Sequence, residues 1–196
     1  MKVSSVIAGA SAALVAFQAA LYASHGEADL LRPPGAHGEK DFASRCVKCG
    51  KCMEACPYIA IKPARDDAGA AVGTPMIDAR AQACRLCEDF PCVEACPTNA
   101  LRDIETRSDV KMGIAVIDED LCIAFQGMRC EVCYRTCPLI DEAIVIDYRL
   151  REGDAIHSVF APVIDEDKCV GCGLCVERCV VSEPRVAIRI ASDEER

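Results

Sequence analysis

Apolar residues fall into one long run near the start of the chain and then into short runs of two to five residues between cysteine-rich loops. The long run, residues 3–23, is Ala-rich, preceded by Lys2 and followed by the polar Ser24-His25-Gly26-Glu27. At 21 residues it could span a bilayer as a helix. Ser4, Ser5, Ser11 and Gln18 make it a weak spanning helix and a better export signal, with a buried core helix as the remaining reading. Leu31-Arg32-Pro33-Pro34-Gly35-Ala36 follows, an extended segment that then turns, which reads as a linker into the folded body.

From Ser44 onward the pattern repeats. Units begin near Cys46, Cys84, Cys122 and Cys169, at spacings of 38, 38 and 47 residues. Two share a lead-in, Val116-Ile117-Asp118-Glu119-Asp120 and Val163-Ile164-Asp165-Glu166-Asp167. Each unit runs out into a short apolar strand: Ala60-Ile61, Ala100-Leu101, Ala143-Ile144-Val145-Ile146 and Val186-Ala187-Ile188-Arg189-Ile190. The predicted unit is a strand, a cysteine loop, a short helix across the last cysteines and a second strand. Such units stack to share a core.

Composition sharpens this picture. With no Trp, five Phe and four Tyr, aromatic packing cannot supply much of a core, whereas sixteen cysteines can supply a metal scaffold. The net charge of −9 argues against a nucleic-acid partner, which would need clustered Lys and Arg. An acidic surface suits docking to a basic patch on a redox partner, or serves solubility alone.

Every cysteine falls into a motif. The first is Cys46-x2-Cys49-x2-Cys52-x3-Cys56-Pro57, the bacterial ferredoxin run. The second, Cys84-x2-Cys87-x4-Cys92-x3-Cys96-Pro97, carries two extra residues, Asp89 and Phe90. The third, Cys122-x7-Cys130-x2-Cys133-x3-Cys137-Pro138, carries a longer insertion over 123–129. The fourth, Cys169-x2-Cys172-x2-Cys175-x3-Cys179, is regular but followed by Val180 instead of Pro. Three thiolates two residues apart can wrap three irons of one cubane, while the fourth starts a short helix that points to the neighbouring cluster. Gly50, Gly171 and Gly173 let the backbone pass close to sulfide. Zinc sites pair two CxxC half-sites across a longer spacer and rarely use this run, and disulfides would not need these spacings. The reading is therefore four [4Fe–4S] clusters on sixteen cysteine ligands.

Crossed fourth ligands leave two pairings open. Sequential pairing joins the first motif to the second and the third to the fourth. Nested pairing joins the first to the fourth around the second and third. The regular motifs are the outer two, and that symmetry favours nesting. One cluster would then sit on Cys46, Cys49, Cys52 and Cys179, and another on Cys169, Cys172, Cys175 and Cys56. The inner pair would use Cys84, Cys87, Cys92 and Cys137, and Cys122, Cys130, Cys133 and Cys96. The expected fold class is α+β, two bacterial-type 2[4Fe–4S] ferredoxin-like modules of small helices and short antiparallel strands. The expected divisions are 1–38 as signal or anchor plus linker, 39–66 with 156–196 as outer module, and 67–155 as inner module.

Other candidates are weaker. His25, His37 and His157 lie outside the motifs and read as surface residues. Lys48, Lys51, Arg85 and Arg129 sit in cysteine loops, where they would raise cluster potentials or act as solvated cations. No Gly-rich nucleotide loop, activated nucleophile or paired acid and base stands out, so no catalytic site is expected.

The chain resembles the NapG/MauM family of exported polyferredoxins, and its NapG branch more closely. The resemblance rests on Leu31-Arg32-Pro33-Pro34-Gly35-Ala36, Cys84-Arg85-Leu86-Cys87-Glu88-Asp89-Phe90-Pro91-Cys92 and Met112-Gly113-Ile114-Ala115-Val116. Phe125-Gln126-Gly127-Met128-Arg129-Cys130-Glu131-Val132-Cys133-Tyr134-Arg135, Ile140-Asp141-Glu142-Ala143-Ile144 and Pro184 also fit. It implies four [4Fe–4S] clusters and a place in the periplasm on the outer face of the cytoplasmic membrane. It further implies an integral-membrane polyferredoxin partner that oxidises quinol, with electrons passed on to c-type cytochromes and a periplasmic nitrate reductase. The other branch implies electron transfer to, or maturation of, methylamine dehydrogenase. A wire subunit of another molybdenum oxidoreductase is a third possibility. The family's export signals usually carry paired arginines; this sequence begins Met1-Lys2-Val3, so the expectation is a start further upstream, with an uncleaved anchor as the alternative.

Overall fold

The computed structural model describes residues 30–150, 153, 156 and 158–192. Residues 3–23, where a signal or anchor is expected, and His25 and His157 lie outside the described residues. No helix among the described residues is long and apolar enough to cross a membrane.

The elements are short, as the runs of two to five apolar residues require. Helix α1 covers Glu39–Arg45 and buries Phe42. Four further one-turn helices follow the cysteine loops: α2 (Lys51–Ala55), α3 (Pro91–Glu94), α4 (Val132–Thr136) and α5 (Leu174–Arg178). Each begins one residue before the third cysteine of its motif, carries that cysteine, and ends before the fourth. The fourth cysteine does not start the helix, as the spacing had suggested. Cys56, Cys137 and Cys179 instead cap C-terminal ends in extended conformation, which aims their thiols away from the loop before. The strands are β1 (Ile61–Pro63), β2 (Pro75–Ile77), β3 (Ile114–Ile117), β4 (Ile144–Leu150), β5 (Ser158–Ile164) and β6 (Ile188–Ala191).

They form three antiparallel pairs: β1 with β2, β3 with β6 and β4 with β5. The register sets Ile61 opposite Ile77, Ile117 opposite Ile188 and Ile144 opposite Ile164. In the second half of the chain, β3 and β6 bracket the third and fourth motifs, and the β4–β5 hairpin lies between them. The first half repeats this plan in reduced form. The β1–β2 hairpin separates its two motifs, and a single bridge between Ala36 and Leu101 brackets them.

This corrects the nested arrangement. The strand β1, within 39–66, pairs with β2, and both strands of 156–196 pair with strands of 67–155. The physical reason is the hairpin. Gly73 N–H donates to Ala64 O (3.0 Å) and Ala64 N–H to Thr74 O (2.8 Å), folding the chain back so that the second motif returns beside the first.

One core runs through both halves, with Phe42, Leu86, Phe90, Leu101 and Val110 packed together with Val170 and Leu174. The two-residue insertion of the second motif contributes Phe90 to it. A smaller cluster of Ala115, Val176 and Ile188 lies under β3 and β6.

Candidate metal centres

The cysteine loops are shaped by left-handed residues. Gly50 (φ +80°) and Gly173 (φ +83°) each stand directly before a one-turn helix, a conformation that glycine adopts without strain. The sharp turns leave three thiols of each motif facing one cavity, and a fourth reaches in from a neighbouring motif.

Four such cavities result. The first, about 340 Å³, is lined by Cys46, Cys49, Cys52 and Cys96, with Phe42 and Leu101 behind them. The second, about 350 Å³, is lined by Cys84, Cys87, Cys92 and Cys56, with Phe90 and Ile77. The third, about 350 Å³, holds Cys122, Cys130, Cys133 and Cys179, with Ile117 and Ile188. The fourth, about 410 Å³, holds Cys169, Cys172, Cys175 and Cys137, with Leu139 and Ile144; Cys133 also reaches its wall.

The crossing of fourth cysteines is thus as the spacing predicted, but the partners are sequential neighbours. Cys96 takes the place expected for Cys179, Cys56 that of Cys137, Cys179 that of Cys96, and Cys137 that of Cys56. The symmetry of regular and irregular motifs carried no information about pairing. The loop insertions bulge locally, Phe90 into the core and Phe125 beneath Arg149, whose guanidinium lies 5.5 Å from its ring.

The donor set fits a polynuclear iron–sulfur group better than a single ion. All sixteen cysteines are free thiols, with no disulfide among them. Among the described residues, no group of three or more His, Cys, Asp or Glu side chains is placed to hold one metal ion. The thiols stand around a space instead of converging on a point, which disfavours zinc. Burial pushes the Cys92, Cys133 and Cys172 thiols up to about 12, and each is raised further by neighbouring cysteines of its own cavity or the next. Burial likewise raises Cys52 and Cys84 to about 11 and holds Cys175 well above the ordinary range. Crowded, buried thiols that resist ionisation call for compensating positive charge, and binding iron would expel their protons. Cys96 differs: burial pushes it up, yet backbone N–H groups of Leu101, Thr98 and Ala100 outweigh that and lower it. Backbone N–H groups also reach Sγ of Cys56 from Ala60, of Cys84 from Leu86 and of Cys169 from Ala115, each at 3.4 Å. Donors of this kind stabilise thiolate ligands and tune the group they hold.

The loop cations have structural partners. Lys48 donates to Val72 O at 2.6 Å, tying the first loop to the β1–β2 turn. Arg85 pairs with Glu177 at 2.8 Å. Arg129 pairs with Glu131 and stacks 5.2 Å above the Phe160 ring. Lys51 is exposed. His37 contacts Asn99 O at 3.1 Å and joins no cysteine cavity. The sequence reading missed Arg80, which donates to Val176 O, Glu177 O and Cys179 O at the end of α5 (2.9, 3.2 and 2.9 Å). It lies outside the cysteine motifs, so nothing in their spacing marks it.

Comparison with known proteins agrees with this geometry. The family described as a 4Fe-4S dicluster domain matches twice, over residues 45–100 and 126–182. Ferredoxin-type protein NapG of Escherichia coli (strain K12) is 46% identical over 160 residues, covering 81% of this chain and 69% of that one. Methylamine utilization ferredoxin-type protein MauM of Methylobacillus flagellatus is 44% identical over 171 residues, covering 85% of this chain and 70% of that one. The protein of the same name from Methylorubrum extorquens is 40% identical over 174 residues, covering 88% and 77%. Matched dicluster domains, paired cysteine cavities and relatives of both names together place this chain in the NapG/MauM family of ferredoxin-type iron–sulfur electron-transfer proteins.

Proposed function

We propose that the sixteen cysteines hold four [4Fe–4S] clusters, one per cavity. The protein would relay single electrons from an integral-membrane quinol dehydrogenase partner to periplasmic c-type cytochromes and a nitrate reductase. The observation that carries the cluster reading is the composition of each cavity, three cysteines of one motif completed by the fourth of its neighbour. When bound, such a cluster supplies a one-electron carrier with its charge spread over several irons and sulfides. The chain's own residues ligate it, exclude water with apolar walls, and direct N–H groups at the ligating sulfurs. No residue of the chain is assigned an acid–base or nucleophilic role.

The nitrate pathway, and a position on the outer face of the cytoplasmic membrane, follow the resemblance to the NapG branch. The acidic surface suits a basic partner. A second reading takes its support from relatives named for methylamine utilization at 40–44% identity. In it the same electron-transfer body serves methylamine oxidation or the maturation of its enzyme.

Anaerobic affinity capture of the full chain from native membranes, with partners identified by mass spectrometry, separates the two. Recovery of a polytopic ferredoxin-like membrane protein with a nitrate reductase or its cytochromes supports the first reading. Recovery of methylamine dehydrogenase components overturns it in favour of the second.

A further inference from the structure

The four cavities are not equally placed with respect to the boundary between the halves of the chain. The Cys84 loop and the Cys172 loop meet there directly. The N–H of Cys84 donates to the carbonyl of Cys172 at 3.1 Å, and both cysteines are buried. Beside them Met112 N–H donates to Val170 O at 3.2 Å. A Cβ at Gly171 would lie 2.5–2.7 Å from the backbone of Gly113, so this loop is flush against the strand leading into β3.

Polar side chains clamp the same seam from outside. Glu177 of α5 accepts from Ala83 N–H and from Arg85, both at 2.8 Å. Arg80 closes on the carbonyls at the end of α5. The other two cavities are tied within their own halves. The Cys46 loop is held through Lys48 to the β1–β2 turn, and Cys122 N–H donates to Asp118 O at 2.9 Å. Cys49 of the first cavity alone among the sixteen cysteines is exposed.

We propose that the four sites form a single file in the order Cys46 site, Cys84 site, Cys169 site, Cys122 site. Electrons cross between halves only where Cys84 meets Cys172, with Arg80, Arg85 and Glu177 as positioning residues for that crossing. The order rests on the four-cluster reading given above. Each crossing moves one electron, oxidising the site nearer the donor and reducing the next; no bond forms or breaks and no proton moves. Electrons enter from the quinol-oxidising partner and leave to a haem protein.

The test uses the full chain, loaded anaerobically and reduced with dithionite. Iron and sulfide analysis comes first, because content well below about sixteen of each per chain would sink the cluster reading and not the order. Two double variants then isolate pairs of sites. Cys49→Ala with Cys130→Ala leaves the two inner sites, and Cys87→Ala with Cys175→Ala leaves the two outer ones. The expected result is an EPR spectrum split and broadened by spin–spin coupling in the first, and two isolated signals in the second. Isolated signals from the inner pair, or coupling between the outer pair, would overturn the proposal. Should either double variant fail to load, Glu177→Ala in the otherwise intact protein provides the second measurement. It is expected to keep its iron while losing part of the broadening seen in the fully reduced wild type; an unchanged spectrum would overturn the positioning role.

Discussion

Gly50 and Gly173 hold the same place in their loops, directly after the second cysteine, and nearly the same left-handed conformation at φ +80° and +83°. Alanine at either position therefore carries the same backbone cost, about 1–2 kcal/mol. Their surroundings differ. A Cβ on Gly50 would meet nothing within 4 Å, whereas one on Gly173 would lie 2.6 Å from Ala79 Cβ and 3.6 Å from Ala83 Cβ. Ala79 and Ala83 belong to a segment that cannot retreat freely. Ala81 and Gln82 donate to Asp78 O, and Ala83 N–H is held by Glu177. Overpacking against such a segment costs about 1–3 kcal/mol more. Gly173→Ala should then destabilise by about 2–5 kcal/mol against about 1–2 for Gly50→Ala. The assay is the anaerobic rate of cluster bleaching in guanidinium, followed in the visible band, since unfolding of such a protein is read as a rate. The excess corresponds to bleaching faster by on the order of tenfold to a hundredfold. Adding Ala79→Gly to Gly173→Ala should recover most of that excess. Equal losses in the two single variants, or no recovery in the double, would refute the reasoning that the halves are pressed together at this loop.

Three more predictions rest on other contacts. Arg32, nearly buried, pairs with Glu39, donates to Thr74 Oγ1 (2.8 Å) and Pro75 O (2.9 Å), and lies 4.7 Å from the Phe42 ring centre. Arg32→Met should cost about 3 kcal/mol, measured by the same bleaching rates, because it strands Glu39 in a half-buried place. Adding Glu39→Gln should restore part of this. Burial pushes the Glu177 carboxyl up, but the Ala83 N–H and Arg85 outweigh it and hold it below the usual carboxylate range. A depressed folded pKa gives stability that is present above the unfolded value, near about 4.3, and fades as pH falls through the folded one. The ratio of bleaching rates between Glu177→Gln and wild type should therefore be greatest near neutrality and shrink toward one in acid. A ratio independent of pH would remove the charge from the explanation. Cys92→Ser should lower iron from about sixteen to about twelve atoms per chain or fewer and loosen the first half, because ligation supplies folding energy. Full iron content and an unchanged EPR spectrum would show that the second motif had been read wrongly.

The parts of this protein legible in its sequence are those set by local chain geometry. The spacing of three cysteines two residues apart fixes a loop, and Gly50 and Gly173 mark where it turns left-handed. The apolar runs at Ile61, Ile144 and Ile188 became strands, and the apolar starts of the two shared lead-ins, at Ile117 and Ile164, became the partners of the last two. Pairing of the motifs was not legible, because it depends on contacts between segments far apart in the chain. It is settled by the 64–74 turn and by the Ala36–Leu101 bridge, neither of which has a cysteine in it. Arg85 and Arg129 read in the sequence as loop cations, solvated or raising cluster potentials, while their partners Glu177 and Phe160 are visible only in three dimensions. The lone lead-in that did not become a strand is the first, where α1 carries Phe42 into the core.

Sequential pairing also bears on how the protein is made. A chain emerging from the ribosome presents every ligand of its first two sites once Cys96 is out, before Cys122 has emerged. On the four-cluster reading its first half would meet iron and sulfide ahead of the second, since chains generally fold N-terminal part first. The other two sites exchange Cys137 and Cys179 in the same way, so the Cys169 site gains its last cysteine at Cys175 and the Cys122 site at Cys179, and neither closes until the fourth motif arrives. The ligands of the first half are thereby complete before any ligand of the second half follows them. On the four-cluster reading, a nascent polypeptide whose Cys96 has left the ribosome and whose Cys122 has not would present every ligand for half of its inorganic cargo.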